Sequence, residues 1–364
     1  MSLFKNLVAT YDALGDSDFV YEMPIAHMKS RVNILVTLDG DGRFRRAERF
    51  GLKDMPSVTM PCTIDSASRS GLAIFPHPLY DTLEYLSTSE PKQVAYLQGL
   101  SAWKSDNVKL NSIYTYVESG TLLADLTMEG IDYKEKDFVQ FRVEVKGDAP
   151  SDLSKDKVII TQWIDTYTRS KAFKKREICY ISGEIDNITS KHPKGTNVNA
   201  NSSVLVSTEL SRIRDRNSIS YLASQKAHAM LRYLVREHGL KTSTGVIVAW
   251  SVGGIEPPPS HHQDSIQSCD DFGNFYGEDT AEPPHVADIV DINYAQRFSK
   301  ALQGYTNAKK LNEHHNKIAI VALDAATTGR MSITYYQELG AHEYLEKLAN
   351  WHDQCQWHKV YKNK

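Results

Sequence analysis

The sequence predicts a mixed α+β protein of several subdomains, with β-hairpins and mostly antiparallel sheets flanked by helices. Three observations carry this reading. Val32–Leu38 alternates apolar and polar residues, Asp39-Gly-Asp-Gly42 supplies turn chemistry, and Phe44–Phe50 returns as a second strand. Ile219, Leu222, Ala223, Ala227, Met230, Leu231, Leu234 and Val235 make the clearest helical stripe of the chain. Strands and helices do not follow the βαβ order that a parallel sheet needs. At 364 residues the chain exceeds a comfortable single core. The reading divides it into an N-terminal α+β domain, 1–150, and a central α+β domain, 151–364.

In chain order, Leu3, Leu7, Tyr11 and Leu14 lie on one helical stripe, and Gly15 follows as a stop. The return strand of the hairpin carries Arg43, Arg45, Arg46 and Arg49, which fit a charged solvent-exposed edge or phosphate contact. Residues 51–80 read as irregular, punctuated by Pro56, Pro61, Pro76 and Pro78. Asp81–Ser87 and Pro91–Asn107 read as helices. Ile113–Tyr116, Leu122–Leu126 and Phe138–Val145 read as strands, and Ile159–Tyr167 as strand or helix. Asn217 or Ser218 is the expected cap of the long helix, with His238-Gly239 at its end. Thr244–Trp250 is a buried type of strand. A flexible insertion is expected over 251–290, which contains three consecutive prolines. A helix over Asp291–Lys309, strands over Ile318–Leu323 and Met331–Tyr336, and a helix over Ala341–Trp351 complete the expectation.

Composition narrows the function classes. No run approaches the roughly 18 apolar residues of a membrane helix, and the start lacks the features of a signal peptide. Four cysteines, Cys62, Cys179, Cys269 and Cys355, stand far apart and never form CxxC, which fits a reducing cytoplasm. The net charge is −3. Phosphate affinity comes from Lys and Arg displacing counterions. A chain with this balance should meet DNA through a local patch or within a larger basic assembly.

Catalytic patterns are weak. Ala249-Trp-Ser251-Val-Gly253 approaches the G-x-S-x-G nucleophile elbow, but the first Gly is missing and Gly254-Ile-Glu-Pro-Pro-Pro cannot start the required helix. A hydrolase using Ser251 stays as an alternative. His261, His262, Cys269, Asp270, Asp271 and His285 match no zinc or iron spacing. No phosphate-binding or dinucleotide glycine motif is present. The expectation is a protein that is not an enzyme, with no metal and no cofactor.

The polar stretch Ile181–Ser207 is the feature with binding chemistry. It holds four Asn residues and two Gly, and Lys174, Lys175, Arg176, Lys191 and Lys194 make its approaches basic. Asn197, Asn199 and Asn201 offer donors and acceptors to base edges, and Gly195 allows close backbone approach. Lys191 and Lys194 suit phosphates. Composition alone equally fits an Asn-rich surface loop.

Several segments, in order, resemble a known family. Cys179-Tyr-Ile-Ser-Gly-Glu184, His192-Pro-Lys-Gly195 and Leu205-Val-Ser207 resemble its central signature. Ser70-Gly71-Leu72, Pro76-His77-Pro78-Leu-Tyr-Asp81 and Glu84-Tyr85 resemble an earlier block. Asn217–Ala223, Phe141-Arg-Val143, Val321-Ala-Leu, Arg330 and Ser332-Ile-Thr resemble others. Their collinear order over residues 3–352 is similar to the large subunit of the type I-C CRISPR Cascade surveillance complex. His77 stands where the family pattern has Asn, Thr208-Glu209 where it has F-N, and Asp324 departs from its late Gly-Leu-Ser pattern. The family's usual helical C-terminal region is absent from this sequence.

The resemblance implies a non-catalytic, cytoplasmic, DNA-binding subunit for antiviral defence. It would recognise the protospacer-adjacent motif in target double-stranded DNA, promote strand opening for guide RNA pairing and help recruit the helicase–nuclease. Implied partners are a ribonucleoprotein of CRISPR RNA with backbone subunits, small subunits, and the helicase–nuclease. Ser70, Gly71 and His77 would line the motif-reading face, with Lys29 and Arg69 as phosphate anchors. Lys191 adds a phosphate contact, and Lys194, Gly195, Asn197, Asn199 and Asn201 form a second DNA-facing loop or a strand-separating wedge. Which loop reads and which separates is open. A protein-only interaction scaffold is a further alternative.

Overall fold

The computed structural model describes residues 2–14, 21, 23–69, 73–88, 90–170, 176–194, 205–206, 218–237, 239–241, 245–252, 317–327, 330–340, 343–344, 347 and 350. In chain order the elements are α1 (Ser2–Ala13), β1 (His27–Arg31), β2 (Ile34–Asp39), β3 (Phe44–Arg49), β4 (Ser57–Pro61) and β5 (Asp81–Thr82). Then come α2 (Glu90–Ser101), α3 (Val108–Ser119), α4 (Leu122–Met128), β6 (Phe138–Glu144), α5 (Lys157–Thr168), β7 (Arg176–Ile178) and β8 (Ile185–Asn187). The order ends with α6 (Tyr221–Glu237), β9 (Leu240–Lys241), β10 (Gly245–Ser251), β11 (Lys317–Thr327) and β12 (Arg330–Gly340). The architecture is α+β with mostly antiparallel sheets, as the patterning predicts. The chain divides into two compact units, one of 17–177 with 186–191, the other of 1–16, 178–185 and 192–364. The expected break at 150 falls inside the first of these.

In the unit built mainly from 17–177, a four-stranded sheet runs β3-β2-β6-β5. β2 and β6 are parallel, with Ile34 opposite Val139 and Leu38 opposite Val143, while β3 and β5 lie antiparallel at the edges. Ile34, Val36, Leu38, Val139, Phe141 and Val143 are buried, so the inner strands form the centre of a core. The hairpin turn forms as the glycines predict. Gly42 has φ 80, and a Cβ there would meet the Ser112 carbonyl oxygen at 2.6 Å.

Four expectations in this unit are corrected. Ile113–Tyr116 and Leu122–Leu126 lie in α3 and α4, not in strands. The β-branched and aromatic residues of Ile113–Tyr116 mimic a strand, but the buried positions Leu110, Ile113 and Val117 follow helical spacing. Asn107 caps α3 by accepting from the Leu110 N–H, and Gly120 stops it at φ 71. Asp81–Ser87 is a two-residue strand followed by a single π-helical turn, Glu84–Thr88. The irregular region contains β4, which pairs antiparallel with β1 from Ser57 opposite Arg31 to Pro61 opposite His27. Ile159–Tyr167 resolves as helix α5, capped by Asp156 on the N–H groups of Val158 and Ile159.

In the other unit, β12-β11-β10-β9 form an antiparallel sheet. Helix α1 packs against α6. Trp250 Nε1 donates to Thr10 Oγ1 (3.1 Å), Asn6 Nδ2 donates to the Tyr336 hydroxyl (2.8 Å), and Lys226 pairs with Asp12 (2.6 Å). The N-terminal helix thus completes a core whose strands come from the far end of the chain. The cap of α6 is Ser220, whose Oγ accepts from the Ala223 N–H at 3.2 Å, and not Ser218; Asn217 lies outside the described residues. The expected insertion over 251–290 and the helix over 291–309 lie outside the described residues, apart from Ser251 and Val252.

Candidate nucleic-acid interface

Arg69 organises the first candidate loop. Its Nη1 and Nη2 donate to Asp81 Oδ2 and Oδ1 at 2.8 and 2.5 Å, and Nη1 also donates to the Phe75 carbonyl at 3.2 Å. The guanidinium lies 4.4 Å from the centre of the Tyr85 ring. Asp81 is fully buried and accepts further N–H bonds from His77 and Thr82, each 2.7 Å. A buried carboxylate needs such a set of donors to offset its lost hydration. The result is a loop tied at both ends, with Ile74 and Phe75 exposed on it.

This geometry changes two expected roles. Arg69, the expected phosphate anchor, spends its planar fork on Asp81. His77, expected on the reading face, is only 5 % exposed and its ring meets Phe138 edge-on at 6.3 Å. A side chain at that depth packs beneath the loop. Burial pulls the His77 imidazole down to a pKa of about 4, against the pull of Asp81 and with the help of Arg69. Ser70 and Gly71 lie outside the described residues.

Lys191 meets this loop's approach, which its sequence position did not foretell. Its Nζ lies 2.8 Å from Asp65, which opens the short 3-10 turn Ser66–Ser68 just before Arg69. Both side chains are half exposed, so the pair adds little stability. Lys29 is exposed on β1. The arginines of β3 are balanced by carboxylates: Arg45 pairs with Asp39 (2.8 Å), Arg46 with Glu144 (3.0 Å) and Arg49 with Asp137 (2.6 Å). That arrangement suits a charged sheet edge.

The second candidate loop starts from a rigid stem in the other unit. Cys179 N–H donates to the Glu184 carbonyl and Gly183 N–H to the Cys179 carbonyl, each at 2.8 Å, with Gly183 at φ 80. Tyr180 N–H donates to the Ser218 carbonyl at 2.8 Å. The buried Cys179 Sγ accepts from the N–H groups of Ile181 (3.4 Å) and Ser220 (3.3 Å). Burial pushes this thiol up, but donors from Ser182, Ser220 and Ile181 outweigh it and hold it below its usual value.

Further on, His192 Nδ1 lies 2.8 Å from Ser224 Oγ, and His228 Nδ1 lies 2.8 Å from the Ser224 carbonyl. The two imidazoles stack with centroids 6.2 Å apart, and Phe4 meets His228 edge-on. Burial lowers His192 to about 4 and His228 to about 3, so both rings are neutral near pH 7. Because an imidazole that donates from Nδ1 keeps a bare Nε2, the Nε2 of His228, which has no hydrogen-bond partner among the described residues, fits a neutral ring. His192 thereby fixes the point from which Lys194, which is exposed, leads into the loop. Gly195, Asn197, Asn199 and Asn201 lie outside the described residues.

The sequence reading missed the tying residues: Tyr85, Cys179, Ser224 and His228, and the role of Asp81. Ser224 and His228 were signalled by their spacing, four apart on one helix face, while Asp81, Tyr85 and Cys179 stood within the segments that carry the family resemblance without a tying role assigned to them. Ser251, the alternative nucleophile, is 4 % exposed and its Oγ has no hydrogen-bond partner among the described residues. Among the described residues no cluster of three or more His, Cys, Asp or Glu side chains could hold a metal, and no helix is long and apolar enough to cross a membrane.

Residues 7–364 match the family model described as CRISPR-associated protein (Cas_Csd1). No curated protein matches the chain. The family match spans nearly the whole sequence, and the chain belongs to this CRISPR-associated family.

Proposed function

We propose that this member of the Cas_Csd1 family is the non-catalytic large subunit of a type I-C RNA-guided surveillance complex in the cytoplasm. The observation that carries the reading is the family match over residues 7–364, which spans all the resembling segments. In this reading the loop between Arg69 and Asp81 meets the protospacer-adjacent motif in target duplex DNA. The loop led by Lys194 meets the same DNA where it opens for guide RNA pairing, and the assembled complex then recruits the helicase–nuclease.

The physics of the residues is consistent with such a task. Opening need only be nucleated, because the RNA–DNA hybrid replaces most of the lost stacking, about 1.4 kcal/mol per step. A chain of net charge −3 suffices when other subunits supply the main channel. A preformed loop contributes to recognition by lowering the ordering cost of each contact.

Co-purification provides the test. The tagged chain, expressed with its neighbouring CRISPR genes, should travel with CRISPR RNA and repeated backbone subunits. Recovery of the chain free of RNA and of those subunits would overturn the proposal.

A further inference from the structure

A charge set into a buried strand needs a counter-charge, and Arg142 has none among the described residues. β6 reads Phe-Val-Gln-Phe-Arg-Val-Glu, and all of its first six residues are buried except Arg142, which is part-buried. The Arg142 Nε is closed off from solvent and meets no hydrogen-bond acceptor among the described residues. No described carboxylate forms an ion pair with the guanidinium.

The acidic neighbours are engaged elsewhere. Glu144, two residues on and so on the same face, pairs with Arg46 at 3.0 Å. Asp152 lies beside Arg142 in an isolated bridge, but its Oδ1 accepts from Gln140 Nε2 (3.0 Å) and Ser154 Oγ (2.7 Å). Other cations drawn into this unit are matched: Arg69 by Asp81, Arg49 by Asp137 and Lys109 by Asp156. A part-buried charge without a partner lowers stability. The fold therefore carries at Arg142 a cost that a bound anion would remove.

The chemistry of that anion follows from the donors. A guanidinium offers a planar fork to an oxyanion. Thr37 stands opposite Arg142 in the parallel ladder of β2 and β6, about 4.8 Å across, so its hydroxyl shares the face. A carboxylate is satisfied by the fork alone, and the carboxylate already on this face goes to Arg46. A phosphate has further acceptor oxygens for a hydroxyl beside the fork.

We infer that Arg142 and Thr37 form a binding site for a phosphate group, on the face of the sheet where Arg46 and Glu144 are exposed. Arg142 supplies the charge and the fork, and Thr37 a further donor. The site lies outside both loops of the proposed function and does not depend on their reading.

The experiment is thermal unfolding of the full chain in rising inorganic phosphate, with ionic strength held by chloride. Wild type should melt at higher temperature as phosphate rises. Arg142→Met keeps the length of the side chain and loses its charge, and should bind phosphate at least about tenfold more weakly. In chloride alone it should melt no lower than wild type, because no partner within the fold is lost. Arg142→Lys, with charge but no fork, should fall between the two. Anisotropy of a labelled oligothymidine separates the sources of the phosphate. A salt slope reduced by about 0.7 in Arg142→Met assigns it to a nucleic-acid backbone, and an unchanged slope beside a lost phosphate response assigns it to a small phosphorylated molecule. Equal phosphate responses of wild type and Arg142→Met, or no response in wild type, would overturn the inference. So would a lower melting temperature of Arg142→Met in chloride, which would give Arg142 a partner within the chain. Stabilisation of wild type by acetate as strong as by phosphate would make this a carboxylate site for a protein partner, and the inference fails.

Discussion

The loop after Arg69 and the loop after His192 are both tied at the base by buried polar groups, yet the ties differ in kind. Arg69 and Asp81 form a charged pair with bidentate geometry and an aromatic ring beside it. His192, Ser224 and His228 form a neutral chain of hydrogen bonds and stacked rings. A charged tie fails abruptly, because losing one partner strands a buried ion. A neutral tie fails gradually and instead responds to pH, because a proton must enter a buried ring. The described residues beside the two loops are fixed by two chemistries with different weak points.

The largest expected effect breaks the charged tie. Arg69→Ala leaves the buried Asp81 carboxyl without its charge partner, and should lower stability by about 3 kcal/mol in urea unfolding. Arg69→Lys should recover only part of this, since an ammonium lacks the planar fork. A loss below about 1 kcal/mol for Arg69→Ala would mean that the loop tolerates a free Asp81, and the contrast between the ties would collapse.

The pH response comes next in size. His192 and His228 have folded pKa values below the ordinary histidine value, so the unfolded chain binds more protons as pH falls. Their contribution to stability is fully present above about pH 6.5. It is lost as pH falls from there toward about 4 for His192 and about 3 for His228, by up to about 1.4 kcal/mol per pH unit for each ring. His27 and His77, both lowered to about 4 mainly by burial, act in the same direction in the other unit. His192→Asn should flatten the dependence of the urea midpoint on pH by one histidine's share. An unchanged slope would show that this ring already takes its proton in the folded state.

The smallest effect is electrostatic. Lys194→Ala removes one exposed charge from the approach to the second loop. It should leave stability unchanged, weaken binding to all DNA targets alike, and reduce the salt slope by about one unit. A target-dependent loss would give Lys194 a base-reading part.

Local features were legible in the sequence. The hairpin at Asp39–Gly42, the stripe of α6 and the paired strands β11 and β12 all follow from periodicity and turn chemistry, which are written in neighbouring residues. Ile113–Tyr116 misled because side-chain type and spacing disagree there, and packing follows the spacing. β4 was hidden by Pro56 before it and Pro61 at its end, since nothing local announces a pairing with β1, separated from it by β2 and β3. The ties were the least legible part. Asp81 stands in a block that carries the resemblance, but its role shows only when Arg69, twelve residues earlier, is seen to close on it. His192 and His228 stand 36 residues apart and meet only through the fold. Sequence pattern found which loops are polar; burial decides which residues face outward and which hold the loop.

The account stands or falls on whether the tied loop gives the complex its motif preference. The direct measurement is the affinity of the assembled complex for duplex targets that differ only in the adjacent motif, with wild type beside Arg69→Lys. The account predicts that wild type discriminates between targets. It predicts that Arg69→Lys, with its charge kept and its fork lost, binds them nearly equally at an unchanged salt slope. Full discrimination by Arg69→Lys, or a drop of about one unit in its salt slope with preference intact, would contradict it.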